Sequence, residues 1–203
     1  MMQQRIWGWG IGVLLLLVGC SSEPTAVSST YILPVTGSPA ALQQPVGRPI
    51  LVVRPVEMAA HLSGNGLVYQ LSDAEVVQAQ QNLWAESIQQ QLTRRINLDL
   101  RRKQTRYWPT ELTPALETMN APRVQVRFTQ FNGHYTGVAQ VAGEWLLLDA
   151  HGGLQGGYPF QYQVPLEQAG YVAQVNALAA GVDRLTSDIA NRLGLVGTAT
   201  APQ

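Results

Sequence analysis

The chain opens with an unbroken apolar run, residues 6–18, behind a single positive charge at Arg5. As a helix, that run would reach only about 20 Å, well short of a hydrocarbon core of roughly 30 Å. A charged start, a brief apolar core and small residues at the exit describe a secretory signal rather than a membrane span. Residues 21–30 are rich in Ser and Thr with little to bury, which predicts a flexible tether. A short strand follows at 31–34, stopped by Pro34. The unbroken apolar stretch at 49–54 suits a strand buried on both faces. Residues 56–66 are ambiguous: 58–62 could form one helical turn, and Gly64, Asn65 and Gly66 carry turn chemistry. A strand returns at 67–71.

Ser72, Asp73, Ala74 and Glu75 then fit a capping box, which predicts a helix beginning there. Trp84, Ile88, Leu92, Ile96 and Leu100 recur every fourth residue and give that helix one apolar stripe. Arg94, Arg95, Arg101, Arg102, Lys103 and Arg106 gather toward its C-terminal end. Two readings of them stay open, a solvated helix end complementing the dipole and a patch facing phosphate headgroups. Residues 108–122, with prolines at 109, 114 and 122, read as loop.

An antiparallel meander comes next. Val124, Val126 and Phe128 alternate with Arg123, Gln125, Arg127 and Thr129, a strand with one wet face. Asn132 and Gly133 form the preferred hairpin dipeptide, so the return strand is expected over about 136–149. His151, Gly152 and Gly153 turn the chain into a third strand around Tyr158, Phe160, Tyr162 and Val164. A long helix over about 168–193 is marked by Val172, Val175, Leu178, Ala179, Val182, Leu185, Ile189 and Leu193, with Gly194 at the C-cap. Residues 195–203 are small and weakly polar, so disorder is expected. Single-striped helices and half-wet strands predict an α+β fold: a two-layer sandwich, mainly antiparallel, with two long helices packed on one face of the sheet.

The apolar run ends on Leu17, Val18, Gly19 and Cys20, and Cys20 is the only cysteine in the chain. This tetrapeptide resembles a bacterial lipobox, in which the thiol is acylated and cleavage leaves cysteine first; thiolate nucleophilicity suits that step. The expected organisation is therefore a signal at 1–19, an acylated Cys20 and tether over 20–30, one domain over 31–194, and a tail over 195–203. Ser21 stands where an Asp would suggest inner-membrane retention, so the same sorting rule implies the outer membrane. Removing 1–19 leaves 184 residues with 12 basic and 13 acidic side chains. A near-neutral chain has no field for capturing nucleic acid. With Cys20 acylated no thiol remains, so neither disulfides nor thiolate metal sites are expected.

No catalytic set stands out. His61, His134 and His151 each lie in or beside a predicted turn, and none has a second ligand at helical spacing. No serine occupies a Gly-x-Ser-x-Gly elbow. The glycine pairs at 152–153 and 156–157 lack the helix that a phosphate cradle needs and read as turn glycines. Asp149 beside His151 is the one pair that would test as catalytic. Trp84 and Trp145 read as core. Trp108, in a loop between Tyr107 and Pro109, is a candidate partner contact or a lid over the helix end.

The order of several segments is itself informative: the lipobox, the strand Tyr31-Ile32-Leu33-Pro34, the Leu67-Val68-Tyr69-Gln70 segment, Trp84-Ala85-Glu86, the strand from Val124 to Phe131, and the final Ala-rich helix. In that order they resemble the PqiC family of ABC-type transport auxiliary lipoproteins across nearly all of 20–193. Ser63-Gly64-Asn65-Gly66 departs from the family's turn, and Ser87 stands where a proline often follows Trp-Ala-Glu. The resemblance implies a non-enzymatic lipoprotein on the periplasmic face of the outer membrane with no cofactor beyond its covalent lipid. It implies work with an inner-membrane-anchored MCE-domain protein in lipid transport that keeps the envelope intact and, by analogy, allows a homo-oligomer. Gly64, Asn65, Gly66 and Trp108 are the candidate partner contacts. An assembly chaperone for an outer-membrane β-barrel and an envelope hydrolase are the alternatives.

Overall fold

The computed structural model describes residues 27–35 and 47–195. The signal segment, the lipobox with Cys20, the tether up to residue 26 and the tail after Leu195 lie outside the described residues.

The fold is built on one long strand, β7 (Arg123–His134). Along one edge it pairs antiparallel with β8 (Val138–Leu148), which pairs in turn with β9 (Leu154–Pro165). Its other edge is shared by three short strands, all parallel to it. Val52 and Val53 of β2 (Ile50–Val53) meet its start, β3 (Glu57–Met58) meets Arg127 and Phe128, and Tyr69 and Gln70 of β4 (Gly66–Gln70) meet Gly133 and His134. Outside these lie β6 (Trp108–Glu111), parallel to β2, and β5 (Val76–Trp84), antiparallel to β4, with β1 (Ser29–Tyr31) parallel to β5. A single mixed sheet of nine strands results. The expected α+β class holds in coarse form, a large sheet with helices, and the sheet is mixed: its long strands pair antiparallel and its short ones parallel. Only the meander and the β4–β5 hairpin are antiparallel, because the short strands reach β7 through crossovers rather than tight turns.

Two long helices, α1 (Ile88–Lys103) and α3 (Tyr171–Leu195), pack against each other and the sheet; α2 (Pro114–Glu117) is a single turn. Ile88, Leu92, Ile96 and Leu100 of α1 are all buried, as are Leu178, Val182, Leu185, Ile189 and Leu193 of α3. Each such side chain contributes roughly 1.5–3 kcal/mol. An exposed basic residue at a helix end contributes only a few tenths of a kcal/mol, so the stripes orient the helices. Gly181 lets α3 close on β8, since a Cβ there would strike Val141.

Several expectations change. Residues 72–75 are not a capping box: they turn the β4–β5 hairpin, with Leu71 N–H donating to the Glu75 carbonyl at 2.8 Å. The β-branched pair Val76 and Val77 then continues as strand, and α1 starts only at Ile88, after Ser87, whose side chain makes no cap bond. Trp84 is therefore the end of a strand, its indole buried 6.2 Å from the Phe131 ring. Asn132 and Gly133 stay inside β7 rather than turning it. Asn132 is buried, and Gly133 leaves room for the Tyr69 ring. The turn falls four residues later, at Gly137 with φ +82°, whose N–H donates to the His134 carbonyl at 2.9 Å. Gly156 and Gly157 likewise belong to β9, not to a turn. Residues 108–111 form β6 instead of loop; Pro109 fits because β6 is an edge strand and needs no outward N–H. The last helix runs from Tyr171 to Leu195, past Gly194, with Val172 exposed rather than in the stripe. The short strand at the start begins at Ser29, inside the expected tether.

Candidate functional site

The polar face of α1 holds together the segments that arrive from the N-terminus. Gln91 accepts the Leu33 N–H at 2.7 Å and donates to the Glu86 carbonyl at 3.1 Å. Thr93 accepts the Val56 N–H at 3.0 Å. The Arg95 guanidinium donates to the Pro34 carbonyl. Tyr31 adds a bond from its hydroxyl to Asn82 at 2.8 Å, and Leu33 is buried. The strap that leads back toward Cys20 is thus sewn to the domain at 29–34, so a pull on it is delivered to α1 and β5 rather than to a loose end.

A buried ionic network lies behind the strap. Arg95 and Asp99 are 1% and 0% exposed and pair at 2.7 Å. Arg102 donates to the other oxygen of Asp99, and Thr186 of α3 donates at 3.1 Å to the oxygen that Arg95 holds. Lys103 then bridges the two helices. Its ammonium lies 2.7 Å from the Asp183 carboxylate, 2.6 Å from the Asp183 carbonyl, and 2.9 Å from the hydroxyls of Thr186 and Ser187. Neither reading of the basic cluster as a whole survives. Arg95 faces inward, Lys103 and Arg102 are engaged, Arg101 stacks 4.5 Å over Trp108, and Arg94 pairs with Glu86. One signal in the sequence pointed here: Asp99 is the lone acid of α1, four residues after Arg95 and three before Arg102.

The predicted contact residues separate. Asn65 is exposed and its carbonyl accepts the Trp84 N–H at 2.7 Å. Gly64 and Gly66 allow the close approach of β5: a Cβ on Gly66 would collide with the Ala79 carbonyl, and one on Gly64 with the Gln78 amide. Trp108 is not in a loop; it is 7% exposed, beneath Arg101, whose burial pulls its own pKa down. A partner would meet the guanidinium before the indole. The structure does not bring Trp108 and Asn65 onto one element; they stand on β6 and on the turn before β4.

Asp149 and His151 share a turn, but the carboxylate serves the backbone. One oxygen accepts the N–H groups of His151 and Gly153, both at 2.8 Å, and the other accepts the Gln155 amide at 3.3 Å. Those amides, Gly153 first, hold its pKa below the usual carboxylate value. His134 is buried rather than exposed, its Nδ1 2.7 Å from the Thr136 hydroxyl, while His61 and His151 are exposed.

A nine-stranded mixed sheet with two long helices laid against it and a strap fixed to the body is the frame, and comparison with known proteins assigns the class. The model of the ABC-type transport auxiliary lipoprotein component matches residues 31–190, and the chain belongs to that family. The chain is 36% identical over 182 residues, 88% of its length, to the intermembrane transport lipoprotein PqiC of Escherichia coli, covering 92% of that protein. The PqiC of Shigella flexneri matches to the same extent. Among solved structures, an uncharacterized protein 30% identical superposes with a TM-score of 0.68 over 82% of this chain and 99% of its own. A Xanthomonas campestris protein only 14% identical shares the fold, again at a TM-score of 0.68, over 84% of this chain and 97% of its own.

Proposed function

We propose that this chain is the outer-membrane lipoprotein of an MCE-type intermembrane lipid transport system. Fatty acids on Cys20 moor it to the periplasmic face, and the folded domain docks the MCE component anchored in the inner membrane, which supports envelope integrity. Family membership along almost the whole domain carries this reading. The fixed strap supports it, because a docking subunit has to transmit load between its anchor and its partner. One acyl chain binds a bilayer only marginally, so the several chains of a bacterial lipoprotein are what make the mooring lasting. A homo-oligomer belongs to the same proposal: β9 pairs only with β8 among the described strands, leaving an edge that a second copy would meet.

The test is photocrosslinking in cells from Asn65, with Gln155, an exposed residue at the start of β9, as comparison. Capture of an MCE protein from Asn65 is the expected result. Capture of a β-barrel protein and no MCE protein from any exposed site would replace the docking role with that of an assembly chaperone.

A further inference from the structure

Exposed apolar side chains gather at one end of the sheet. β4 and β7 run parallel, with Gln70 opposite His134, so the tips of the β4–β5 and β7–β8 hairpins project together. The first tip carries Leu71, Val76 and Val77, exposed by 45%, 47% and 40%. Neighbouring strand residues point to opposite faces, so exposure of both valines means that this ribbon stands clear of the body on both sides. The second tip carries Tyr135, 48% exposed, whose hydroxyl donates to Asp73 at 2.8 Å and ties the two tips together. α3 begins at the same end. Leu166 N–H donates to the Gly137 carbonyl, and Tyr69, Gly137, Leu166 and Tyr171 line an open cleft of about 510 Å³ beside the exposed Val172.

Charge at this end is unusual for the chain. Residues 27–35, 66–84, 132–140 and 166–176 contain no lysine or arginine, and their carboxylates are Asp73, Glu75 and Glu167. The basic residues of α1 lie elsewhere, most of them paired. Such a surface cannot adsorb to anionic lipid through basic residues. It suits a zwitterionic headgroup layer, with aliphatic side chains entering it, tyrosines at its boundary and ammonium groups meeting the carboxylates.

The strap says which surface this end meets. β1 runs parallel to β5, in the direction leading away from the tip, with Ser29 beside Asn82. The chain therefore enters β1 from the tip side, and Val27 is 85% exposed there. From the level of Gly66, paired with Leu83, to that of Gln70, paired with Val76, the hairpin advances four residues, about 13 Å. The nine residues from Cys20 to Ser29 reach up to about 32 Å, so an anchored Cys20 and the hairpin tip can lie in one plane. We infer that the tip formed by Leu71, Val76, Val77 and Tyr135 seats in the zwitterionic phospholipid surface that holds the anchor, and fixes the orientation of the domain on it. This rests on the lipoprotein reading above.

The full lipidated protein tests it directly. Its one native thiol is consumed by acylation, so Val76→Cys can be labelled alone with an environment-sensitive fluorophore. Leu154→Cys, at the far end of the sheet and 64% exposed, is the comparison. In vesicles of phosphatidylethanolamine and phosphatidylcholine, the label at 76 should shift to the blue and be quenched by spin-labelled lipid, while the label at 154 does neither. Added anionic lipid should not strengthen the shift. An aqueous label at 76 on protein that floats with the vesicles overturns the inference and leaves the anchor intact, as does shielding that appears only when a protein partner is added. Protein that does not float at all removes the anchor, and with it this inference.

Discussion

Replacing Asp99 with alanine takes away the carboxylate on which Arg95, Arg102 and Thr186 converge and removes the nearer counter-charge of the buried Arg95 guanidinium, whose other acidic neighbour, Asp183, lies 3.9 Å away. Arg95 cannot shed its proton to escape, and at 1% exposure water does not reach it. Removing one partner of such a pair costs about 3–5 kcal/mol. For a domain of this size that corresponds to a fall in Tm of roughly 6–20 °C. Glu86→Ala is the internal comparison. Its pair with Arg94 has side chains 37% and 49% exposed, and an exposed pair is worth about 1 kcal/mol or less. Thermal and urea unfolding followed by circular dichroism would read both. The combined Arg95→Met and Asp99→Leu variant should lose less than the two single changes added together, because it strands no charge. An Asp99→Ala protein within about 1 kcal/mol of its parent would refute the view that this network locks α1 to α3.

Glycines supply a second test. Gly66→Ala forces a methyl group against the Ala79 carbonyl and should cost about 1–3 kcal/mol. Gly194→Ala, helical and open on every side, should instead stabilise by up to about 1 kcal/mol; equal effects in urea titrations would contradict both placements. The Asp149 carboxyl, held low by the Gly153 and His151 amides, should titrate below the value of about 3.9 for a free aspartate. Because its folded pKa is depressed, its support of the turn is present above the unfolded value and fades as pH falls through the folded one. A carbon-detected NMR titration with a midpoint at or above the free value would show that the turn does not grip the carboxylate.

Where the sequence was legible, periodicity met burial. β2 reads as an apolar run because it is buried on both faces. β7 alternates because one face is wet, and α3 steps by three and four against the sheet. The β4–β5 hairpin failed that reading for a physical reason. Most of β5 is exposed, so Gln78, Gln80 and Gln81 carry no burial rhythm, and residues 72–75 satisfied a capping pattern by composition alone. Trp108 misled because its neighbour Pro109 suggests a loop, yet an edge strand tolerates proline. Burial of Arg95 was hidden among six basic residues; only the spacing to Asp99 set it apart. The candidate contacts were legible as turn residues at 64–66, whereas the apolar tip at 71–77 becomes visible only when the fold sets two hairpins side by side.

Intact mass measurement of the native protein, extracted from membranes with detergent, bears most directly on the account. It should give a chain that begins at Cys20 and carries several fatty acyl groups. A chain with residues 1–19 still attached and an unmodified cysteine would mean that nothing moors the domain, and the transport role built on that mooring would fall with it.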